Sequence, residues 1–419
     1  MNKAKPTVAL LHYACPPLIG GVEAIIDAHA RLLVELGYDT RLIVGEGGTV
    51  HPKVNTVVVP EISAHGGPES VVIEMLKEGE VHSDFNGAVR RADKSLSNAL
   101  QGVDVCIIHN VLTMHFNLVA TAALAKIMKR RKNIHFIGWI HDSTFGDPNY
   151  KEHQRNDFPW SLLSQELPGC DYCVISAQRR LEMKKLFGVP ASHLPVIRDG
   201  IDMQQLLGLT SNVTDIFHSE ELHAKDFVAL TPTRIVRRKN LEAGMGIVAA
   251  LKKLGKSVRW MITGAPDGYN ADSMKYYNEL LAMRRKLRIE KEVIFLCERF
   301  DGTVSNDDMR GLYGVSDILL FPSEREGFGI PVLEAGISGL LVVISDIPAL
   351  RELGGRDTVY IYPGEDPGAV ACRILRGFNR SPRLLFRKKI ITNYSWDAIF
   401  ADTILPAVVK PKSLWKAKK

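Results

Sequence analysis

Short apolar runs alternate with longer amphipathic segments along this chain, and the whole alternation is gone through twice. Residues 8–11, 40–44, 103–108, 134–140, 173–176 and 194–197 read as buried strands. Several segments between them read as helices. Residues 22–36 are the clearest, because the periodic stretch stops at Gly37 as a helix C-terminus does. Between about Met203 and Lys225 the pattern gives way to Ser, Thr, Asn and Asp with little apolar order, and a linker is expected there. The alternation then restarts. Residues 227–230, 259–263, 293–297, 318–321, 341–344 and 359–362 read as strands, and 240–254, 274–287, 331–338 and 367–377 as helices. A chain with this rhythm is restricted to parallel sheets covered on both faces. The expected class is α/β, with two doubly wound parallel-sheet halves in series. Ligands in such sheets bind outside the carboxyl ends of the strands, and two halves facing a cleft would share one site. The length of 419 residues also exceeds what a single core organises. Bounds of 1–205, 206–394 and 395–419 are expected.

Bulk properties narrow the function further. Apolar residues make up 46% and charged residues 24%, so burial needs no disulfide or metal staple. A net charge of +6 is too weak to argue for nucleic acid, and suits an anionic small molecule or an acidic membrane surface. Among six cysteines only Cys170 and Cys173 have a C-x-x-C spacing; no second pair accompanies them, so no metal site is expected and the compartment reads as reducing and cytoplasmic. The first apolar run contains His12 and ends in Pro16-Pro17 and Gly20-Gly21, which suits a strand entering a glycine loop better than a leader. No apolar stretch reaches membrane-span length. Lys126, Lys129, Arg130, Arg131 and Lys132 either attract acidic headgroups at the inner membrane face or complement a helix dipole. The stretch 63–100 is helical in part, and the basic tail 410–419 is expected to be frayed.

The most informative segment runs from Phe321 through Glu326-Gly327-Phe328-Gly329-Ile330-Pro331-Val332-Leu333-Glu334. A strand delivers the chain to a polar turn. Gly327 and Gly329 let the backbone turn sharply and bring its amides near a ligand. Pro331 sits where a helix's first turn tolerates proline, and the free N–H groups there suit an anion or sugar oxygens. Phe328, Ile330 and Val332 complete the donor-facing stretch. Glu334, one turn into the helix, can point back to the loop, and a carboxylate accepting two hydrogen bonds matches a ribose diol. A strand–loop–helix with a capping glutamate is the plain alternative. Two glutamates bracketing the glycines and proline favour a site.

Three other strand ends carry polar groups. Arg234 and Lys239 flank the turn after the first strand of the second half, and two cations there suit a diphosphate and the charge that grows on a leaving nucleotide. Gly20 and Gly21 open the first helix, where anion-binding amides or tight helix–strand packing both fit. This is not a G-x-G-x-x-G dinucleotide fingerprint, so a nicotinamide cofactor is disfavoured. His141-Asp142 ends an apolar strand, placing His141 to hydrogen-bond a transferred sugar or orient an acceptor; a buried histidine satisfied by Asp142 is the alternative. His109-Asn110 ends another strand in the same way.

Together these residues resemble the retaining GT-B glycosyltransferases of sequence family four, the glycosyl transferases group 1. The resemblance spans nearly the whole chain. It rests on Glu326 to Glu334, Arg234 with Lys239, Gly20-Gly21, His141-Asp142, Arg198-Asp199-Gly200-Ile201-Asp202, the stretch Ser345 to Glu352, and Tyr394-Ser-Trp-Asp397. It implies two Rossmann-like domains and a last helix returning to the first. It implies transfer of a hexosyl unit from a UDP- or GDP-sugar to an acceptor hydroxyl, with retention and with no cofactor or metal required. Arg234 and Lys239 would grip the diphosphate, Glu334 the ribose, Glu326 and the 327–329 amides the sugar. Gly20 and Gly21 would lie beneath the phosphate, His141 near the sugar, with Asp142 and Asn110 toward the acceptor. The chain has no Asp-x-Asp pair, which agrees with cations serving as the leaving-group clamp. Retention would proceed by same-face transfer, the leaving phosphate helping to deprotonate the acceptor; Glu326 is the one carboxylate to nominate for a covalent route. Where the family commonly has Asn, this chain has Asp199, with Arg198 beside it to offset the charge. A sugar-nucleotide epimerase, a phosphorylase or a non-catalytic binding subunit are the rival readings, and self-association is left open.

Overall fold

The computed structural model describes residues 5–18, 20–64, 67–266, 271–300 and 303–409; the basic tail 410–419 lies outside them. The chain divides into two compact units, one formed by Met1–Gly200 with the chain from Ile399 onward, the other by Ile201–Ala398. Among the described residues each unit holds one six-stranded sheet.

In the first unit the strands are β1 (Val8–Ala14), β2 (Thr40–Glu46), β3 (Asn55–Val58), β4 (Val105–His109), β5 (His135–Ile140) and β6 (Cys170–Val174), in the order β3-β2-β1-β4-β5-β6. In the second they are β7 (Phe227–Thr231), β8 (Val258–Ile262), β9 (Val293–Phe295), β10 (Ile318–Phe321), β11 (Leu341–Ser345) and β12 (Val359–Ile361), in the order β12-β11-β10-β7-β8-β9. All pairings are parallel. Parallel strands covered on both faces must be apolar throughout. Every residue of β1, β4, β7 and β10 is accordingly buried.

Order reverses once in each sheet, between β1 and β4 and between β7 and β10. At such a point the two neighbouring connections leave in opposite directions, and a crevice opens at the strands' carboxyl ends. The glycine turn follows β1 and His109 ends β4. Arg234 and Lys239 follow β7, and the Glu326 loop follows β10. The fold therefore brings the polar strand ends to two crevices, one in each unit.

Three readings of the sequence need correction. The expected linker is instead two short helices, Met203–Leu207 and Ser211–Ser219, and a 3-10 turn, Leu222–Ala224. Met203, Val213, Ile216, Phe217 and Leu222 are buried in the second unit's core. Residues 194–197 form no strand; only Val196 bridges to Val174. The strand expected at 173–176 is Cys170–Val174, which places Cys170 and Cys173 on opposite faces of one strand, where they cannot share a metal ion. The partly legible stretch 63–100 contains the helices Ser70–Lys77 and Phe85–Ala99. No helix among the described residues is long and apolar enough to cross a membrane.

Candidate active site

β7 and β10 are hydrogen-bonded neighbours, Ala229 opposite Ile318 and Leu230 opposite Leu319. Their loops are therefore held side by side. The Glu324 amide donates to the Arg238 carbonyl at 2.8 Å, and the Arg238 guanidinium donates to the Arg325 carbonyl at 2.9 Å. The ammonium of Lys239 reaches Glu326 Oε1 at 2.5 Å and sits 4.8 Å from the centre of the Phe321 ring. Arg238 stands 3.6 Å from the other oxygen of Glu326. Burial pushes the Lys239 ammonium below its usual pKa, and the Glu326 carboxylate opposes that shift. Arg234 lies exposed on the same turn. The result is a sheltered Lys–Glu pair flanked by two guanidinium groups at a sheet crevice.

The glycine turn behaves as its sequence requires. Gly329 has φ +104°, and a Cβ there would lie 2.6 Å from Leu350 Cδ2. Gly329→Ala is expected to destabilise the second unit by about 1–3 kcal/mol, read as a lowered thermal midpoint; an unchanged midpoint would show that the loop tolerates another backbone. Phe328 and Ile330 are exposed beside the turn. Val332 corrects the reading of a donor-facing residue. Its side chain is buried in the core, and its amide already donates to the Gly329 carbonyl at 2.9 Å.

Glu334 is exposed on the helix Ile330–Ser338 and accepts a 2.6 Å hydrogen bond from the Tyr313 hydroxyl. Tyr313 is a candidate the sequence reading missed, since nothing near it in the chain marks it. Burial, with the bond to Glu334, raises its pKa. Ser323 was also missed. It lies just after β10, its hydroxyl buried and without a partner among the described residues.

In the first unit the strand ends form a buried histidine cluster. His12 Nδ1 faces the His109 carbonyl at 2.8 Å, and His109 Nδ1 faces His141 Nε2 at 3.1 Å. The other nitrogen of His141 lies 3.3 Å from Asp199. Two expectations change here. The partner of His141 is Asp199, not Asp142, whose carboxylate instead takes a 3.0 Å bond from Arg179. The charge expected to be offset by Arg198 thus serves as the histidine's acceptor. Both ring nitrogens of His141 are already turned to protein groups, so contact with a sugar through the ring requires one of them to change partner.

Asn110 is fixed by backbone demands. It adopts φ +60°, a conformation Asn tolerates better than most residues, and its side-chain oxygen accepts from the amides of His141 and Asp142 at 2.9 Å each. It clamps the end of β5, and no part of that oxygen's geometry points to an acceptor role. Gly20 and Gly21 open the helix Gly21–Glu35, but Glu23 stands in its first turn, 3.7 Å from His12, with its carboxylate folded over Gly20. The bond to His12 lowers the pKa of Glu23. A carboxylate thus occupies the helix start read as a bare anion site.

The expected cationic patch is partly committed as well. Arg130 pairs with Asp93 at 2.7 Å, and Arg131 and Lys132 donate to the carbonyls of Ser97 and Met128. No group of three His, Cys, Asp or Glu suited to a metal ion occurs among the described residues.

Comparison with known proteins adds to this geometry. The family model described as glycosyl transferases group 1 matches residues 212–388, and that described as glycosyltransferase family 4 matches residues 19–205. An uncharacterized glycosyltransferase of Methanocaldococcus jannaschii is 24% identical over 412 residues, 95% of this chain and 96% of its own. Mannosylglucosylglycerate synthase of Petrotoga mobilis is 23% identical over 274 residues, 60% of this chain and 62% of its own. A solved glycosyltransferase of Rickettsia africae aligns over 97% of this chain and 99% of its own, with TM-score 0.37 and 16% identity. The two family models take in the Glu326–Glu334 loop on one sheet and the histidine strand ends on the other, and the chain belongs to the group 1 glycosyltransferases, enzymes of the two-domain Rossmann-like GT-B fold that transfer a sugar from a donor.

Proposed function

We propose that the second unit binds a nucleotide-diphosphate sugar at the β7/β10 crevice and that the enzyme transfers a hexosyl unit with retention and without a metal ion. The observation that carries this reading is the Lys239–Glu326 contact, which joins the cationic turn to the glycine loop. Arg234 and Lys239 neutralise the diphosphate as the bond to the sugar breaks, the task a divalent cation performs elsewhere. Glu334, oriented by Tyr313, accepts from the ribose hydroxyls. Glu326 and the amides of Gly327–Gly329 face the sugar. Lacking an Asp-x-Asp pair, the sequence offers two cations for the leaving group instead. The leaving phosphate then takes the acceptor's proton on the same face of the sugar.

The donor nucleotide is UDP or GDP. The mannosyl group in the name of the Petrotoga relative makes GDP-mannose the first donor to try, beside UDP-glucose. The test is turnover of both donors with a panel of sugar and glycerate-like acceptors, with and without EDTA, the product's anomeric configuration being read by NMR. Inversion, or loss of turnover in EDTA, would overturn the corresponding part of the proposal.

A smaller effect tests the ribose assignment. Tyr313→Phe removes one hydrogen bond to a carboxylate, worth about 1.5–3 kcal/mol. The expected result is roughly tenfold weaker nucleotide binding by calorimetry, with little change when the ligand lacks its ribose hydroxyls. Equal losses for both ligands would remove Glu334 from the ribose.

A further inference from the structure

A second charged recess lies at the opposite end of the second sheet. Leu340, Leu341 and Val342 line it at the start of β11, whereas the donor loops leave the far end of the neighbouring strands. The lining reaches Gly336 on the helix Ile330–Ser338 and Tyr362 after β12, but includes none of Arg234, Lys239, Glu326 and Glu334, so the two places are distinct. The recess has a volume of about 990 Å³. Five arginines line it: Arg356, Arg373, Arg376, Arg380 and Arg383. Asp357 is the one acidic residue in its lining.

Arg373 is held by Glu365 and by the Tyr360 carbonyl. The other four have no hydrogen-bond or ion-pair partner among the described residues. Single exposed arginines elsewhere, such as Arg90, Arg285 and Arg288, also stand without one among the described residues, whereas Arg91 is shared by Glu69 and Asp84 and Arg179 by Asp142 and Glu182; what sets this recess apart is that four line it together. A guanidinium cannot shed its proton to relieve repulsion, and its planar fork fits a phosphate with two parallel hydrogen bonds. Four such groups line one recess, from the loop before β12 and from the junction of the helices Pro367–Asn379 and Pro382–Tyr394, and make its lining cationic. Tyr362, half-exposed on the wall, offers an aromatic face for the remainder of a ligand.

We propose that this recess is a second anion site, distinct from the donor crevice, that binds a phosphate-bearing ligand through Arg356, Arg376, Arg380 and Arg383. The phosphate belongs either to a soluble phosphorylated compound or to a lipid headgroup.

The test uses the full chain in an Arg234→Ala/Lys239→Ala background, which removes the cations of the donor crevice, and compares it with the same chain also carrying Arg376→Gln/Arg380→Gln. Both added positions are exposed, and unchanged circular dichroism verifies the fold. Inorganic pyrophosphate is titrated by calorimetry, and flotation is measured on phosphatidylglycerol and on phosphatidylcholine vesicles. The expected result is pyrophosphate binding that survives loss of the donor cations and weakens at least tenfold with the glutamines. Flotation on phosphatidylglycerol alone, abolished by the glutamines without soluble binding, also supports the site and assigns its phosphate to a headgroup. Absence of both kinds of binding, or binding that the glutamines leave unchanged, overturns the proposal. Failure of the donor assignment reads differently: nucleotide-sugar binding would then persist in the Arg234→Ala/Lys239→Ala chain.

Discussion

Replacing Lys239 by alanine is expected to lower kcat/KM for sugar transfer by about 100- to 1,000-fold, the loss seen when one preorganised charge-stabilising group is removed. Lys239 is sheltered, so its charge acts through less water than a surface lysine's would. Its removal also strands Glu326, whose side chain is only 10% exposed. Part of the loss will therefore be structural. The double variant Lys239→Ala/Glu326→Gln reads the structural part: its stability recovers relative to Lys239→Ala because the unpaired carboxylate is gone. Arg234, exposed on the same turn, should cost less on truncation, about tenfold. Transfer by Lys239→Ala within threefold of wild type would refute the leaving-group role.

A second large effect is expected from acid. Burial in the first unit holds His29 down to about 3 and His109 well below the ordinary histidine value of 6.5. Both remain neutral in the folded protein while the unfolded chain takes up protons below 6.5. Their contribution to stability is fully present above that value and is lost as pH falls below it. Each such histidine costs on the order of 1 kcal/mol per pH unit below the unfolded value, and His115, lowered to about 4, adds to the same slope. Denaturant unfolding of the first unit should show that slope, and Trp139 is a suitable reporter, with its ring 5.0 Å from His29 and 5.6 Å from His109. His29→Phe should remove one proton's worth of slope. A stability that stays flat from pH 6.5 to 5 would mean that these rings are protonated in the folded state.

The buried strands were legible because parallel strands covered on both faces leave continuous apolar runs. β3 was not, since it is a four-residue edge strand with both end residues exposed. The two helices in the expected linker were hidden by their own caps. Asp202 and Thr210 accept from the amides of Gln205 and Val213, and such residues read as loop until the helix they start is seen. In the site, Glu326, Gly329 and Glu334 could be read because they lie within nine consecutive residues. The partners that orient them could not. Tyr313 reaches Glu334, and Asp199 reaches His141, across spans that no local spacing encodes. Asp142 stood next to His141 in sequence and was the natural guess; an alternating strand end sends adjacent side chains apart.

The first unit is completed by residues that follow the second in sequence. Ile404, Ala407 and Val408 are fully buried, and the Phe400 ring lies 6.4 Å from His29. During synthesis the ribosome releases residues 1–200 long before these reach their places. The growing chain must therefore carry an unfinished first core, with apolar surface open to chaperones, until the segment 399–408 emerges. A chain cut short near residue 395 would keep all of the donor-crevice residues and yet lack Ile404, Ala407 and Val408 from its first core. Folding of the first unit therefore waits on chain that follows the second.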